Sequence, residues 1–217
     1  MQKLYIYGCG GVGKELAEHF MNSREYEGLG FIDDNPDIRE CVGMRSRTLD
    51  ELLAEESPEN VKVIISIGEP AIREAVSKKI AAKGIEEIVV DLSDHCNPRF
   101  ADIGSGTLLH AGSYISVNTQ IGKCCMINKG ALVGHDCVIG DYTVLSPRVI
   151  LGGNVTVGEG SYIGIGASVR NGITIGKNVI IGMGSVVVRN VEDDAIVVGN
   201  PAKFLRKNES CRVFKRD

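Results

Sequence analysis

The hydrophobic positions of this chain follow two different patterns, which divide it near residue 100. In the first part, short apolar runs alternate with segments whose apolar residues recur every three to four positions. The runs predict strands and the segments predict helices, because side chains repeat every two residues along a strand and about every 3.6 along a helix. The alternating order predicts a small parallel sheet with helices packed on it.

The predicted elements of this part are strands over 4–7, 29–32, 61–67 and 88–92, and helices over 13–21, 49–55 and 69–83. Gly84 is expected to end the last helix, because glycine adopts the left-handed conformation found there. Four strands are fewer than the roughly six of a complete dinucleotide-binding fold. The sequence therefore predicts an α/β domain over residues 1–95 that is half-Rossmann-like.

A six-residue repeat replaces this pattern from residue 101 onward. Fifteen positions spaced by six, from Ile103 to Val187, are all Ile, Leu or Val, and the residue two before each is small or β-branched. This period does not fit an α-helix, but it fits a short strand followed by a turn. Three such sides would make a coil of 18 residues, with equivalent residues stacked about 4.8 Å apart. We expect a parallel β-helix over 100–190 and a C-terminal segment with a basic tail over 191–217.

Composition and charge narrow the classes of function. No apolar run reaches the roughly 18 residues of a membrane helix, and no signal peptide is evident. The seven cysteines show no metal-ligand spacing, so we expect free thiols, a reducing cytoplasm and no metal. The net charge of −4 and the scattered cations argue against nucleic-acid binding. Only eight charged residues lie between 103 and 188, and such smooth faces suit a homotrimer.

His135 and Asp136 form the candidate catalytic pair. Gly153 lies 18 residues further on, so an open space is expected beside the imidazole. A histidine can accept a proton near neutral pH, and an adjacent carboxylate can fix its tautomer. The alternative is a structural corner, since turn-forming residues recur at 18-residue intervals, namely Asn118, Asp136, Asn154 and Gly172.

A glycine-rich loop follows the first strand and precedes the first helix. Gly8, Gly10 and Gly13 satisfy the G-x-G-x-x-G pattern, and Asp33 lies twenty residues after Gly13. Taken alone, this pattern favours NAD. The alternative is that the glycines only close the turn between strand and helix.

Three features together resemble one known family. They are the hexapeptide run with its segment 128–140, the preceding βαβ domain, and the closing sequence Gly199-Asn200-Pro201-Ala202-Lys203. They resemble the bacterial sugar O-acyltransferase family, in the branch of the sialic-acid O-acetyltransferases and UDP-4-amino-sugar N-acetyltransferases of bacillosamine type. The resemblance covers about residues 2–205 and implies a left-handed β-helix.

The resemblance implies transfer of an acetyl group from acetyl-CoA to the amino group of a UDP-linked amino sugar, in a groove between subunits of a homotrimer. His135 would be the general base, with Asp136 where close relatives often carry Glu, and Asn128 would orient the acceptor. The implied nucleotide-sugar contacts are Gly10, Gly11, Asp33, Asp34 and Gly68. The implied CoA contacts are Val144, Gly153, Ile165, Gly166, Gly182, Met183 and Lys203.

Several alternatives remain open at this stage. The acceptor could be a hydroxyl of a sialic-acid-type sugar, because the same base would serve it. The chain could also bind a nucleotide sugar without turning it over, or use NAD at the glycine loop. Asn128 could be an ordinary turn residue. Cys125 and Cys137 occupy the small inward position of the repeat, which favours core filling over nucleophilic chemistry.

Overall fold

The computed structural model describes residues 2–21, 26, 28–97 and 99–214. The chain forms two compact units: Met1–Ile67 with Ala75–Ile88, and Gly68–Glu74 with Val89–Asp217. The last three residues of the basic tail lie outside the described residues.

A six-stranded sheet forms the centre of the first unit. Its strands are β1 (Lys3–Tyr7), β2 (Leu29–Ile32), β3 (Glu40–Cys41), β4 (Met44–Arg47), β5 (Val61–Ile65) and β6 (Glu86–Glu87). They lie in the order β3-β4-β2-β1-β5-β6. All neighbours run parallel except β3 and β4, which form an antiparallel hairpin. The central strands β1 and β5 are buried along almost their whole length, as parallel strands covered on both faces must be.

The helices begin and end within two residues of the predicted bounds. They are α1 (Gly11–Phe20), α2 (Leu49–Glu55) and α3 (Pro70–Ala81), with a short 3-10 helix at Pro58–Asn60. A capping box fixes the start of α2, because the Thr48 hydroxyl accepts from the Glu51 N–H and the Glu51 carboxylate accepts from the Thr48 N–H. Gly84 follows α3 with a φ of +71°, which confirms its predicted role in ending that helix.

Two features of the sheet differ from the sequence-based expectation of four strands. The strand predicted over 88–92 does not join this sheet: the edge strand β6 ends at Glu87, and Val90–Asp91 (β7) pairs with a strand of the β-helix instead. The hairpin of β3 and β4 was not predicted, because β4 carries Arg45 and Arg47 in place of apolar residues. Both guanidinium groups form ion pairs with Glu55 of α2, which offsets the cost of placing them there.

The second unit is a left-handed β-helix whose short strands follow one another at six-residue intervals. These strands are β8 (Ala101–Ile103), β9 (Leu108–Leu109), β10 (Tyr114–Ile115), β11 (Thr119–Ile121), β12 (Met126–Ile127), β13 (Leu132–Val133), β14 (Val138–Ile139), β15 (Val144–Leu145), β16 (Ile150–Leu151), β17 (Thr156–Val157), β18 (Tyr162–Ile163), β19 (Ser168–Val169), β20 (Thr174–Ile175), β21 (Ile180–Ile181) and β22 (Val186–Val187). Each pairs in parallel with the strand three places along the chain, which gives three sheets.

The register confirms the 18-residue coil. Tyr114 pairs with Leu132 and Leu132 with Ile150 on one sheet, and equivalent steps hold on the other two. Fourteen of the fifteen predicted aliphatic positions are buried, and Ile103 at the first coil packs partly buried against them. All fifteen small or β-branched positions are buried as well. The predicted hexapeptide core is therefore the observed core.

Two of the three sheets differ in how far their outward apolar side chains are exposed. On the sheet that contains β12, the outward side chains of Leu108, Met126 and Val144 are at most 1% exposed. On the sheet that contains β13, the outward Tyr114, Leu132 and Ile150 are 42–46% exposed. The second of these faces therefore presents a column of apolar side chains.

The C-terminal segment forms an antiparallel hairpin of β23 (Ala195–Val198) and β24 (Lys203–Lys207). β23 pairs with β21 and so extends a sheet of the β-helix. Further on, the N–H groups of Val213 and Phe214 donate to the carboxylate of Glu69 at 2.8 and 2.9 Å. Across the described part of the chain, no helix has the length and apolar character needed to cross a membrane.

Candidate active site

His135 and Asp136 occupy the turn after β13 and contact each other directly. The His135 Nδ1 and the Asp136 Oδ2 are 2.6 Å apart. Because a carboxylate only accepts hydrogen bonds, this contact places the ring proton on Nδ1 and leaves Nε2 as an acceptor. The two side chains are 53% and 43% exposed. The pair therefore presents an oriented imidazole to the surface of the β-helix.

The second carboxylate oxygen of Asp136 is also engaged. The Asn118 Nδ2, one coil earlier, donates to Asp136 Oδ1 at 3.1 Å. The hydrogen bonds from His135 and then Asn118 hold the pKa of the Asp136 carboxyl below its usual range. The aspartate therefore remains charged near neutral pH and reaches the ring. The sequence analysis included Asn118 only among the turn-forming residues of this corner. Its 18-residue spacing from Asp136 is the signal that predicts contact between the two side chains.

The turn-forming residues that recur at 18-residue intervals on this corner share one backbone conformation. Asn118, Asp136, Asn154 and Gly172 all adopt left-handed φ values between +55° and +70°. Asparagine, aspartate and glycine tolerate this conformation best. The residue types on this corner are therefore explained by the backbone, whereas the contact between Asp136 and the imidazole is not.

Gly153 makes room for the imidazole itself. A Cβ placed on Gly153 would lie 2.5 Å from both Cε1 and Nε2 of His135, which is far inside van der Waals contact. The expected open space beside the ring is therefore occupied by the ring, and that expectation was wrong. The lack of a side chain at Gly153 allows His135 to lie flat along the next coil.

Asn128 follows β12 at another corner. Its Nδ2 donates to the Leu145 carbonyl at 3.0 Å, and its backbone N–H donates to the same oxygen at 2.9 Å. The amide donor of Asn128 therefore serves the coil, and its side-chain oxygen is the atom that could accept a hydrogen bond from an acceptor amine.

The two inward cysteines confirm the core-filling interpretation. Cys125 and Cys137 are fully buried in the β-helix core. Burial raises the pKa of the Cys125 thiol to about 12 and also raises the pKa of Cys137. Neither thiol is suited to act as a nucleophile, because the thiolate is the reactive form.

The glycine loop joins β1 to α1 in the first unit. Gly8 has a φ of +110°, and a Cβ on Gly13 would lie 2.2 Å from the Gly8 carbonyl oxygen. These two glycines are required by the turn. A Cβ placed on Gly10 or Gly11 would meet no atom within 4 Å, so these two glycines leave space beside the start of α1.

The two predicted aspartates after β2 are engaged with the protein itself. Asp33 Oδ2 accepts from the Cys9 N–H at 3.0 Å, which ties Asp33 to the glycine loop. Asp34 Oδ1 accepts from the Tyr7 hydroxyl at 2.7 Å and from the Lys79 ammonium at 2.6 Å. Burial would raise the pKa of Asp34, but the hydrogen bonds from Lys79 and Tyr7 hold it below its usual range. Asp33 thus shapes the loop, and Asp34 lies in a polar cluster beside it.

Gly68 lies just after β5 and, like Gly10 and Gly11, has no atom within 4 Å of a Cβ built on it. It belongs to the second unit.

The residues predicted to contact CoA differ widely in exposure. Ile165 and Met183, one coil apart on the same corner, are 51% and 78% exposed. Gly166 has a φ of +67° and open space beside it, whereas a Cβ on Gly182 would lie 2.7 Å from Val198 Cγ1. Lys203 is exposed on β24. The Val144 side chain is 1% exposed, and the contact of this residue with CoA stays a prediction.

The described residues include no group of three or more His, Cys, Asp or Glu side chains that could hold a metal ion. The side chains that the structure brings into contact at this corner are the His135 imidazole and the Asp136 carboxylate. A surface imidazole with a free Nε2, held by a carboxylate, is suited to remove a proton from an acceptor nucleophile.

Comparisons with known proteins agree with this fold. The family model described as the PglD N-terminal domain matches residues 3–80. The model described as bacterial transferase hexapeptide (six repeats) matches residues 118–153 and 154–189. No curated protein sequence matches the chain. The two family models define the class as a hexapeptide-repeat transferase.

Solved structures define the family more closely. PerB from Caulobacter crescentus, in complex with CoA and GDP-perosamine, is 30% identical, with 95% of this chain and 98% of that chain covered and a TM-score of 0.86. The acetyltransferase domain of PglB from Neisseria gonorrhoeae FA1090, in complex with acetyl coenzyme A, is 31% identical, with 94% and 99% covered and a TM-score of 0.81. WeeI from Acinetobacter baumannii AYE is 29% identical, with 94% and 100% covered and a TM-score of 0.81. The chain belongs to the family of hexapeptide-repeat sugar N-acetyltransferases that carry a PglD-type N-terminal domain.

Proposed function

We propose that this protein transfers the acetyl group of acetyl-CoA to the amino group of a nucleotide-linked amino sugar. The hydrogen bond between His135 and Asp136 carries the proposal, because it leaves Nε2 of an exposed imidazole ready to accept a proton. The relatives supply the substrate classes, since they bind CoA, acetyl-CoA and a nucleotide-linked amino sugar. This match favours an amine acceptor over the hydroxyl of a sialic-acid-type sugar.

The reaction passes one proton through His135 in two transfers. Nε2 accepts the proton of the sugar amine as its nitrogen attacks the thioester carbonyl carbon. The C–S bond then breaks, and the proton passes from His135 to the departing sulfur, which gives the N-acetyl sugar and free CoA. Asp136 stabilises the imidazolium that forms between these steps. Main-chain N–H groups along the groove stabilise the oxyanion of the tetrahedral intermediate.

The proposed donor site follows the corner of Ile165 and Met183. Apolar side chains exposed on adjacent coils offer a surface for the pantetheine arm, and Gly166 allows close approach of the backbone. Gly182 would contact CoA through its main-chain atoms, whereas Gly153 is buried beneath the His135 ring and its contact with CoA stays a prediction from the resemblance. The positive charge of Lys203 suits a phosphate at the nucleotide end of CoA.

The nucleotide site that we propose is formed by Gly10, Gly11, Asp33 and Asp34 of the first unit. Contacts of Gly68 with the nucleotide and of Asn128 with the sugar stay predictions from the family resemblance. The open space at Gly10 and Gly11 supports this proposal. A nucleotide could bind there through backbone N–H groups at the start of α1. UDP is the nucleotide we propose, and the GDP-perosamine bound by PerB makes GDP the comparison to test.

Gly11→Leu is expected to raise the KM for the nucleotide sugar at least about 10-fold, a loss of about 1.4 kcal/mol of binding. The new side chain meets no protein atom at its Cβ, so the fold and the KM for acetyl-CoA should not change. Steady-state kinetics with each substrate varied in turn would show the difference. A rise in the KM for acetyl-CoA instead would refute the placement of the nucleotide at this loop.

A direct test of the function combines a binding screen with a transfer assay. Thermal shifts would be measured with UDP-sugars and GDP-sugars, CMP-sialic acid, NAD and CoA, and release of free CoA would then be followed with UDP- and GDP-linked amino sugars and acetyl-CoA. Stabilisation by CoA and an amino-sugar nucleotide, with CoA release, supports the proposal. Stabilisation by NAD alone would contradict it, and binding without CoA release would identify a non-catalytic binder.

We also propose that the protein is a cytoplasmic homotrimer with its active sites in grooves between neighbouring β-helices. The exposed apolar column of Tyr114, Leu132 and Ile150 supports burial of that face against another copy. The seven cysteines are all free, in keeping with a reducing compartment.

The trimer gives a direct expectation for molar mass. Light scattering coupled to size exclusion should report about three times the chain mass of 23.3 kDa. Leu132→Glu would place a charge in the middle of the apolar column and should shift the mass toward that of a monomer. A stable wild-type monomer with full activity would rule out the shared groove.

A further inference from the structure

Asn118 lies one coil before Asp136 on the same corner of the β-helix. Both residues adopt the left-handed conformation, with φ values of +55° and +59°. The Asn118 Nδ2 donates to Asp136 Oδ1 at 3.1 Å, and Asp136 Oδ2 accepts from His135 Nδ1 at 2.6 Å. The three side chains therefore form one continuous chain of hydrogen bonds that ends at the imidazole.

The exposure of the Asp136 carboxylate makes its hydrogen bond with Asn118 important. The Asp136 side chain is 43% exposed, so water competes for its oxygens and its terminal torsion is broad. A single hydrogen bond to the imidazole would leave the carboxylate plane free to rotate. A donor anchored on the neighbouring coil fixes one oxygen and thereby aims the other at the ring.

We propose that Asn118 is a positioning residue for the transfer reaction, holding Asp136 so that its carboxylate orients His135. The proposal rests on the function proposed above, in which His135 is the base. It adds a third residue to the pair, one that contacts neither the imidazole nor the reacting atoms. Its effect on catalysis therefore passes entirely through Asp136.

The β-helix itself contains a matched control. Asn178 and Asp194 adopt φ values of +52° and +57°, and the Asn178 Nδ2 donates to Asp194 Oδ1 at 3.2 Å. This pair has the same residue types, backbone conformation and hydrogen bond as Asn118 and Asp136. It lies more than three coils further along on a different corner of the β-helix, with no part in the proposed site.

The primary variant is Asn118→Gly, compared with Asn178→Gly. Glycine suits the left-handed backbone. Gly172 lies on the corner of Asn118 with a φ of +70°, and Gly160 lies on the corner of Asn178 with a φ of +66°, so both variants should fold. Loss of a hydrogen bond to a charged, half-exposed group should lower kcat of Asn118→Gly about 5-fold, with both KM values little changed. Asn178→Gly should match it in Tm shift and keep the wild-type kcat.

Asn118→Asp is the second variant, for the case in which the glycine variant does not fold. Aspartate keeps the size of the side chain and tolerates the left-handed backbone, but when ionised it cannot donate to Asp136. Its kcat should fall by at least as much as the kcat of Asn118→Gly. A side chain that only fills space at this corner would give no such fall.

A double-mutant cycle separates action through Asp136 from a general effect. In an Asp136→Asn background, Asn118→Gly should cause no further loss of kcat, because the carboxylate it positions is gone. His135→Ala in the same assay reports on the proposed function independently. If His135→Ala keeps most of its kcat, another group is the base, and the role proposed for His135 fails.

If His135→Ala is inactive but Asn118→Gly behaves like Asn178→Gly, only the positioning proposal is overturned. The same conclusion follows if the effects of Asn118→Gly and Asp136→Asn simply add. A specific fall in kcat that disappears in the Asp136→Asn background establishes the positioning role.

Discussion

His135→Ala is expected to lower kcat by about 10²–10⁴-fold, the usual contribution of a positioned general base. The side chain is 53% exposed and lies outside the core, so its removal creates no cavity and should leave Tm unchanged. The KM for acetyl-CoA should also change little, because the imidazole acts on the acceptor amine. Stopped assays of CoA release together with thermal melts would measure both quantities.

Asp136→Asn is the comparison for this variant, and it should lose less activity. An amide in place of the carboxylate removes the charge that stabilises the imidazolium, but it retains a side chain of the same size. A His135→Ala protein that unfolds would make His135 a structural residue. One that keeps most of its kcat would show that another group is the base.

Gly153→Ala is expected to lower kcat about 10²-fold, although it adds only one methyl group. The new Cβ would lie 2.5 Å from Cε1 and Nε2 of His135, so the ring must swing away from Asp136. A displacement of about 1 Å at a reacting group can cost about 10²-fold in rate. Gly153 does not adopt a left-handed φ, so alanine should be tolerated by the backbone and Tm should fall only slightly.

The double variant His135→Ala with Gly153→Ala identifies the cause of that loss. Once the imidazole is absent, the methyl group has nothing to displace, so the second change should cost nothing further. Gly28→Ala serves as a control, because its Cβ would meet only Lys3 side-chain atoms at ordinary distances of 3.6 Å and more. A fully active Gly153→Ala enzyme would mean that the ring does not lie over this glycine during the reaction.

The β-helix was predictable from the sequence because a short residue pattern specifies each turn of six residues and repeats along the chain. Each inward position, from Leu109 to Val187, is specified by its own residue type, and a period of six fits only a short strand and a turn. The α/β unit was less predictable. The β3–β4 hairpin depends on ion pairs of Arg45 and Arg47 with Glu55, which no pattern of apolar residues signals.

The site was predictable in its residues and less so in its geometry. The sequence indicated the pair His135 and Asp136, but the position of the imidazole over Gly153 depends on a side-chain torsion that sequence does not encode. Asp33 and Asp34 were expected to face a ligand, and the structure shows them bound to Cys9 and to Tyr7 and Lys79. Those contacts depend on how neighbouring strands and α3 come together.

The unbroken 18-residue register restricts how this part of the chain can change in length. A deletion of one residue between 101 and 188 would move every later aliphatic side chain out of the interior, because inward and outward positions alternate along each strand. Removal or duplication of a complete coil would preserve all three ladders, since each strand pairs only with its equivalents one coil away. Insertions and deletions within the paired strands are therefore tolerated in whole coils only, and one made between His135 and Ile165 would shift the apolar corner of Ile165 and Met183 by about 4.8 Å relative to His135.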